Sequence, residues 1–192
     1  EVVKVLAGLG IPDPVFKVKI SRDSEVDDQG DFLIIKDKSC KADIKGIDTV
    51  EFFISTNPGE DVKPLSRVAS GGEISRIMLS LKTILAKNDK LPLLIFDEID
   101  TGVSGRVAQK VGNALKSLAS SHQVIAITHL PQIAGSADFH YAVEKKTLDK
   151  RVTSSIRRLD QDEKIKEVAK LMSGENITEA SLKGARELMG LK

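Results

Sequence analysis

Two adjacent acids, Asp97 and Glu98, close the apolar run Leu93-Leu94-Ile95-Phe96. At the C-terminal edge of a parallel strand they would stand where α/β sheets place their ligands. One carboxylate there can hold Mg²⁺ through its water shell, and the next can polarise an attacking water. Asp97 takes the metal role on this reading and Glu98 the base role. Upstream, Ser70-Gly71-Gly72-Glu73 opens a helical pattern. A capping box, with Ser70 as cap and Glu73 reaching back to it, explains the serine and the glutamate. It leaves two adjacent glycines unexplained, and glycine inside a helix costs about 1 kcal/mol against alanine. An anion site explains all four residues. Glycines let a phosphate approach free backbone N–H groups, the helix start supplies positive potential, and the serine hydroxyl adds a donor.

Directly behind the acids comes Ile99-Asp100-Thr101-Gly102. Its plain reading is a strand-to-helix turn with Asp100 or Thr101 as the N-cap. His129 follows a second short apolar run and precedes Leu130-Pro131. A lone histidine at a strand end is usually structural, but beside an acid-bearing strand its imidazole can reach a γ-phosphate. His122 and His140 lack such a position and receive no role. A nucleotide site also needs a phosphate-cradling loop ending in Gly-Lys-Ser/Thr. No glycine in this sequence is followed by lysine. The lysine that neutralises the β- and γ-phosphates must therefore come from elsewhere, and the chain alone is expected neither to bind ATP tightly nor to hydrolyse it.

The elements that must position these residues follow from periodicity. Residues 1–9 read as the tail of a helix, ended by Gly8 and Gly10 and prevented from continuing by Pro12 and Pro14. A helix already under way at residue 1 suggests that the sequence begins inside a longer protein. Three β-like runs follow at 15–20, 32–36 and 49–55, and the polar segments between them suit an antiparallel meander. Phe16, Val18 and Ile20 alternate with Lys17 and Lys19, so the first strand is expected to have one face in water. Residues 61–68 read as an ordered loop. Ile74, Ile77, Met78, Leu81 and Ile84 then mark one face of a helix, and 91–96 reads as a strand covered on both sides. Val103, Val107, Val111, Leu115 and Leu118 mark a second helix, and 124–128 a second buried strand. Strand, helix, strand with covered strands signals a parallel α/β unit. Edge strands at 139–143 and 152–159 and two helices, capped by Gly174 and Gly190, complete the reading. The whole reads as one α/β domain.

Bulk composition narrows the classes. Of 192 residues 41% are hydrophobic and 30% charged, enough for one ordinary core in a dissolved protein. Net charge is +1, which argues against a basic nucleic-acid tail and against an acidic disordered region. Lys145, Lys146, Lys150, Arg151, Arg157 and Arg158 form a modest basic group, explained at least as well by a solvated strand face. No apolar run approaches bilayer length, no leader opens the sequence, and Cys40 is the sole cysteine. A reducing cytoplasm and no membrane are expected.

The order of signature glycines, helix, apolar strand with Asp-Glu, Asp-containing loop, helix, strand and histidine resembles that of ABC-type ATPases. The Asp97-Glu98 strand matches their Walker B element. The upstream β-rich stretch, entered from a helix, looks like the SMC-like, chromosome-maintenance branch, in which a coiled coil separates two lobes of each head. Asn57-Pro58-Gly59-Glu60, Lys63-Pro64-Leu65, the segment from Val68 to Leu79 (with Ala69 where a leucine is usual), Asp97 to Gly105, Thr128 to Ala134, Ile177 to Ala180 and Ala185 to Leu188 carry the likeness. It runs from about Asn57 to the C-terminus; residues 1–56 match in layout more than in wording. The resemblance implies the C-terminal lobe of an ATPase head, a mostly parallel sheet flanked by helices plus the antiparallel meander. Residues 1–10 would end the coiled coil and residues 11–192 would form the lobe. It implies ATP and Mg²⁺ as cofactors, and Ser70, Gly71, Gly72, Glu73 and Asp100 as nucleotide-binding residues. Ser70 would face the nucleotide of the opposite head, whereas Asp97, Glu98 and His129 would serve their own. The implied partners are an N-terminal Walker A lobe of the same protein, a second head in a homodimer, and DNA. The implied work is double-strand break repair and recombination in the bacterial cytoplasm, at the nucleoid, with ATP clamping two heads and hydrolysis releasing them. A non-catalytic docking lobe and a transporter's nucleotide-binding subunit are the competing classes. The retained Glu98 argues against the first and the upstream sequence against the second.

Overall fold

The computed structural model describes residues 1–22, 32–36, 38–42, 44–68, 70–86, 91–148 and 151–191. The first helix, α1 (Val2–Gly8), docks through Leu6 and Leu9, which are buried. Gly10 turns the chain away with φ +84, and a Cβ there would lie 2.7 Å from Val107 Cγ1. Both the turn and the close approach require glycine.

Strand β1 (Val15–Ser21) pairs antiparallel with β4 (Thr49–Ser55), which pairs with the two-residue β5 (Lys63–Pro64). The intervening β2 (Phe32–Ile35) and β3 (Lys38–Lys41) make a hairpin of their own. The expected meander is therefore replaced by a hairpin set between two partners. The register gives the reason: it stacks Phe16 on Ile54, Val18 on Phe52 and Ile20 on Val50, apolar against apolar along one face. Only the Phe16–Ile54 end of that face is covered; Val18, Ile20, Val50 and Phe52 are exposed. Residues 61–68, expected as a loop, hold β5 and a 3₁₀ turn (Leu65–Arg67).

The parallel unit is present as expected. Strand β6 (Leu93–Phe96) pairs parallel with β7 (Gln123–Ala126), and α3 (Gly105–Leu118) is the crossover between them. Leu94 and Phe96 meet Val111, Leu115 and Leu118 of α3 in the principal core, joined by Leu9, Leu79, Ile99 and Ile133. The parallel part of the fold is these two strands among the described residues.

Burial on both faces, however, is not found. Leu93 and Ile95 point away from the core, Ile95 being 63% exposed, and on β7 and just beyond it Ile125 and Ile127 are likewise exposed. Helix α2 (Gly71–Leu85) departs from expectation for the same cause. It buries Gly72, Arg76, Ile77, Leu79 and Ser80, while Met78, expected inside, is exposed. Ile74 and Met78 instead line an open groove between α2 and β6 that reaches Ile95. Apolar periodicity marked a surface that nothing among the described residues covers.

Beyond β7 a short helix, α4 (Pro131–Ser136), stands where none was expected. Strands β8 (Tyr141–Leu148) and β9 (Arg151–Arg158) pair with each other as a hairpin. Helices α5 (Gln161–Ser173) and α6 (Glu179–Leu188) each start on a capping box, Asp160 with Glu163 and Thr178 with Ser181. Gly174 and Gly190, both at positive φ, follow their ends as expected. Ile165, Val168, Ala169 and Ala185 close a second core around Ala134. The basic group near this hairpin is partly spoken for. Arg157 pairs with Glu163 at 2.6 Å and Arg158 sits 4.5 Å from the Phe139 ring centroid. Lys150 lies outside the described residues, as does Ala69. No helix among the described residues is long and apolar enough to cross a membrane.

Candidate functional site

The site is built from three chain segments, the start of α2, the turn after β6 and the end of β7. Ser70 is the N-cap of α2, with extended backbone, and its hydroxyl accepts from the Glu73 N–H at 3.4 Å. Glu73 does not complete a capping box. Its carboxylate instead accepts a hydrogen bond from the Thr56 hydroxyl at 3.2 Å, tying the helix start to the end of β4.

The two glycines have different neighbours. A Cβ on Gly72 would lie 2.8 Å from Thr101 Cβ, 2.9 Å from the Thr101 carbonyl oxygen and 3.1 Å from that of Glu98. Close packing of helix on turn thus accounts for Gly72 without any anion. Gly71 is exposed, and a Cβ there would lie 2.1 Å from Glu98 Oε2. The Glu98 carboxylate therefore rests at the positive end of α2, where a negative group is favoured.

Asp97 and Glu98 sit beyond the C-terminal end of β6, both exposed. Asp97 accepts the Glu98 N–H on its own side chain at 2.9 Å, and its carbonyl accepts from the Ser75 hydroxyl at 2.6 Å. Glu98 has φ +54, in the left-handed region, which costs a side-chain-bearing residue about 1 kcal/mol or more. Strained backbone of this kind persists where surrounding contacts hold it. Here the Thr101 N–H returns to the Glu98 carbonyl at 3.1 Å and closes the turn.

Asp100 is not the N-cap of α3; Ser104 takes that position. Asp100 is buried, 5% exposed, and its Oδ2 accepts two hydrogen bonds from just beyond β7, from the Thr128 hydroxyl at 2.6 Å and the His129 N–H at 2.8 Å. His129 Nδ1 also lies 3.0 Å from the same oxygen. Burial pushes this carboxyl up, but the Thr128 hydrogen bond, then the His129 N–H and ring, outweigh it and hold it below the ordinary aspartate range. The Nδ1 side of the His129 ring thus lies against this carboxylate, on a side chain 76% exposed.

The expected residues thus fall into two groups joined by the 97–101 turn. Gly71 and Gly72 stand against Glu98 and Thr101, with Ser70 capping their helix and Glu73 turned to Thr56, and Asp100 accepts from the His129 N–H. His122 is buried and His140 partly buried, and neither enters the site. Sequence reasoning missed the residues that fasten the parts: Ser75, Thr128 as a donor, and Arg76, whose Nη1 donates to the Thr101 carbonyl at 2.6 Å. A charged residue directly before Ile77 on the buried side of α2 was the available signal for Arg76.

No family model matches the chain. Curated relatives do. Over 146 residues, 76% of this chain, it is 51% identical to the DNA repair protein RecN of Halalkalibacterium halodurans. Over 144 residues, 75% of the chain, it is 51% identical to RecN of Rickettsia bellii, and over 145 residues 45% identical to RecN of Bacillus subtilis. The chain spans about a quarter of the length of each of these relatives. Among solved structures, the Smc head domain with a coiled coil and joint from Pyrococcus yayanosii superposes with a TM-score of 0.54. That match has 20% identity and covers 90% of this chain and 28% of the other. The Smc head domain with an extended coiled coil from Pyrococcus furiosus, bound to the C-terminal domain of ScpA, gives 0.50 with 19% identity over 90% of this chain and 37% of the other. The fold is similar to part of these Smc head domains.

Proposed function

Because this chain is related to the DNA repair protein RecN across about three quarters of its length, we propose that it is the C-terminal lobe of an SMC-like ATPase head that works in double-strand break repair and recombination. The observation that carries this reading is the pair of strand ends. Asp97 and Glu98 follow parallel strand β6, and beyond the end of the neighbouring β7 the His129 N–H donates to Asp100 while its Nδ1 lies 3.0 Å from the same carboxylate. This is the edge of an α/β sheet at which ligands bind.

Each residue then has a task. Asp97 offers carboxylate oxygens to the water shell of Mg²⁺. Among the described residues no three His, Cys, Asp or Glu side chains meet as a metal cluster. A single exposed carboxylate suits an ion that keeps waters and takes the rest of its ligands from phosphates. Glu98 orients and polarises the attacking water, and His129 presents Nε2 to the γ-phosphate. Ser70 and the first N–H groups of α2 receive the phosphate of a nucleotide held by a second head. MgATP supplies the phosphoryl group and the free energy of its transfer.

The Walker A loop would belong to an N-terminal lobe of the same protein, and α1 would be the foot of the coiled coil between the lobes. Leu93, Ile95, Ile125 and Ile127, bare along one face of β6 and β7, are the surface on which that lobe would pack. Residues 1–192 alone, without a phosphate loop, would not turn over ATP. In the assembled protein two heads would close on ATP, open on hydrolysis, and so hold and release DNA.

The test is Glu98→Gln in the full-length protein. Nucleotide binding and ATP-dependent head pairing are expected to persist while phosphate release falls at least about a hundredfold. Wild-type turnover in that variant would remove Glu98 from the base role.

A further inference from the structure

Arg76 is 5% exposed, and it reaches across from α2 to the turn after β6. Its Nη1 donates to the Thr101 carbonyl at 2.6 Å, while its Nε is buried without a hydrogen-bond partner. Burial lowers its pKa, opposed in part by Glu73. As mere core filler this guanidinium is a poor choice, since leucine or methionine would occupy the space without desolvating a charge or stranding an N–H. Its cost is explained by where it bonds.

Thr101 lies between Asp100, which holds His129, and Gly102 at the head of the loop leading to α3. The same first turns of α2 touch this loop twice more. Ser75 donates to the Asp97 carbonyl at 2.6 Å, and Gly72 packs so closely that a Cβ would meet Thr101 at 2.8 Å. The cap of that helix is Ser70. One short helix start therefore carries Ser70, proposed above to face a second head, and is fastened to the loop that carries Glu98.

We propose that Arg76 is a positioning residue that makes the start of α2 and the 97–101 turn one rigid body, so that a phosphate seated on Ser70 by the partner head sets Glu98 of the Arg76-bearing head for hydrolysis. This rests on the function proposed above and adds a direction to it. Each head's own chemistry is conditional on its signature being occupied from across the dimer, and the two sites turn over together.

The test uses the full-length protein with MgATP, comparing wild type, Arg76→Met and Arg76→Lys. Wild type is expected to show cooperative turnover with a Hill coefficient of about 2. Arg76→Met is expected to lose about tenfold or more in kcat with KM within about twofold, and its Hill coefficient to fall towards about 1. Pairing of heads in a Glu98→Gln background is expected to survive, because Ser70 and its helix cap remain. Lysine keeps one donor long enough for the Thr101 carbonyl and is expected to recover part of kcat and of the cooperativity. Wild-type kcat and cooperativity in Arg76→Met would overturn the inference. So would a loss in which KM rises as much as kcat falls and lysine rescues nothing, the pattern of a packing residue. Should Arg76→Met not fold, Ser75→Ala carries the test through the second fastening. A fall in kcat of about threefold at unchanged KM is expected there, and unchanged turnover in both Ser75→Ala and Arg76→Lys overturns the proposal. Absence of ATP turnover or ATP-driven pairing in the wild type would instead remove the functional reading itself, and the inference with it.

Discussion

The carboxylate of Glu98 rests against Gly71, with Oε2 2.1 Å from where a Cβ on that glycine would stand. The group assigned to polarise water at one nucleotide thus leans on the helix turn assigned to receive the phosphate of another. Its backbone is held in the left-handed region while it does so. Residues that could have been separate halves of two sites are neighbours within a single lobe.

Alanine at the two glycines separates packing from chemistry. At Gly71 the obstacle is the far end of an exposed side chain, so Gly71→Ala is expected to change unfolding free energy by about 0.5 kcal/mol or less. ATP turnover in the full-length variant is expected to fall about tenfold or more as Glu98 is displaced. At Gly72 the obstacles are the Thr101 Cβ and the Thr101 and Glu98 carbonyls, none of them the end of a flexible side chain, and Gly72→Ala is expected to cost about 1–3 kcal/mol in urea unfolding. Equal destabilisation by the two substitutions would contradict this geometry.

Ser70→Arg places a long cation at the exposed start of α2. Monomer nucleotide binding is expected to be unchanged, and ATP-dependent pairing of heads is expected to disappear in light scattering. A variant that still pairs with ATP would rule out the trans role of Ser70.

Asp100 links stability to pH. Its folded carboxyl lies below the ordinary aspartate value of about 3.9, so it contributes stability above that value and loses it as pH falls through the folded pKa. Asp100→Ala leaves the Thr128 hydroxyl and the His129 N–H without their acceptor, at a cost of about 2 kcal/mol near neutrality. The difference between wild type and variant in denaturant unfolding is expected to be flat above about pH 5 and to shrink below about pH 4. A difference that grows on acidification would have the wrong sign.

Ile95→Asp and Ile127→Asp are expected to leave the fold of residues 1–192 within about 0.5 kcal/mol, since both side chains are exposed. They are expected to prevent co-purification with an N-terminal lobe supplied as a separate chain. Undiminished co-purification would place that lobe elsewhere.

The chemistry-bearing residues were legible because their types are unusual for their positions. Packing and helix propensity alone seldom put paired acids after an apolar run or adjacent glycines at a helix start. The parallel unit was legible from its periods. What was not legible depends on partners distant in sequence. Nothing local says that Asp100 bonds His129 rather than capping α3, or that Glu73 turns to Thr56. The strand face of Leu93 and Ile95 reads as core because apolar spacing records that a surface is covered without recording by what. The pairing of β1 with β4 across a hairpin escaped for a related reason: three strands of similar composition leave their order to cross-strand fit, as between Val18 and Phe52.

The bare side of β6 and β7 also bears on how these positions can change over generations. Leu94 and Phe96 are constrained by α3, so their substitutions are judged inside this lobe. Ile95, one residue away, adds little to the lobe's own stability, and a change there would pass unnoticed in an isolated fragment. Its permitted alternatives would be set by the surface it meets in the whole protein. Alternate residues of one short strand should therefore covary with different partners, and the break between those two patterns would trace the seam between the lobes.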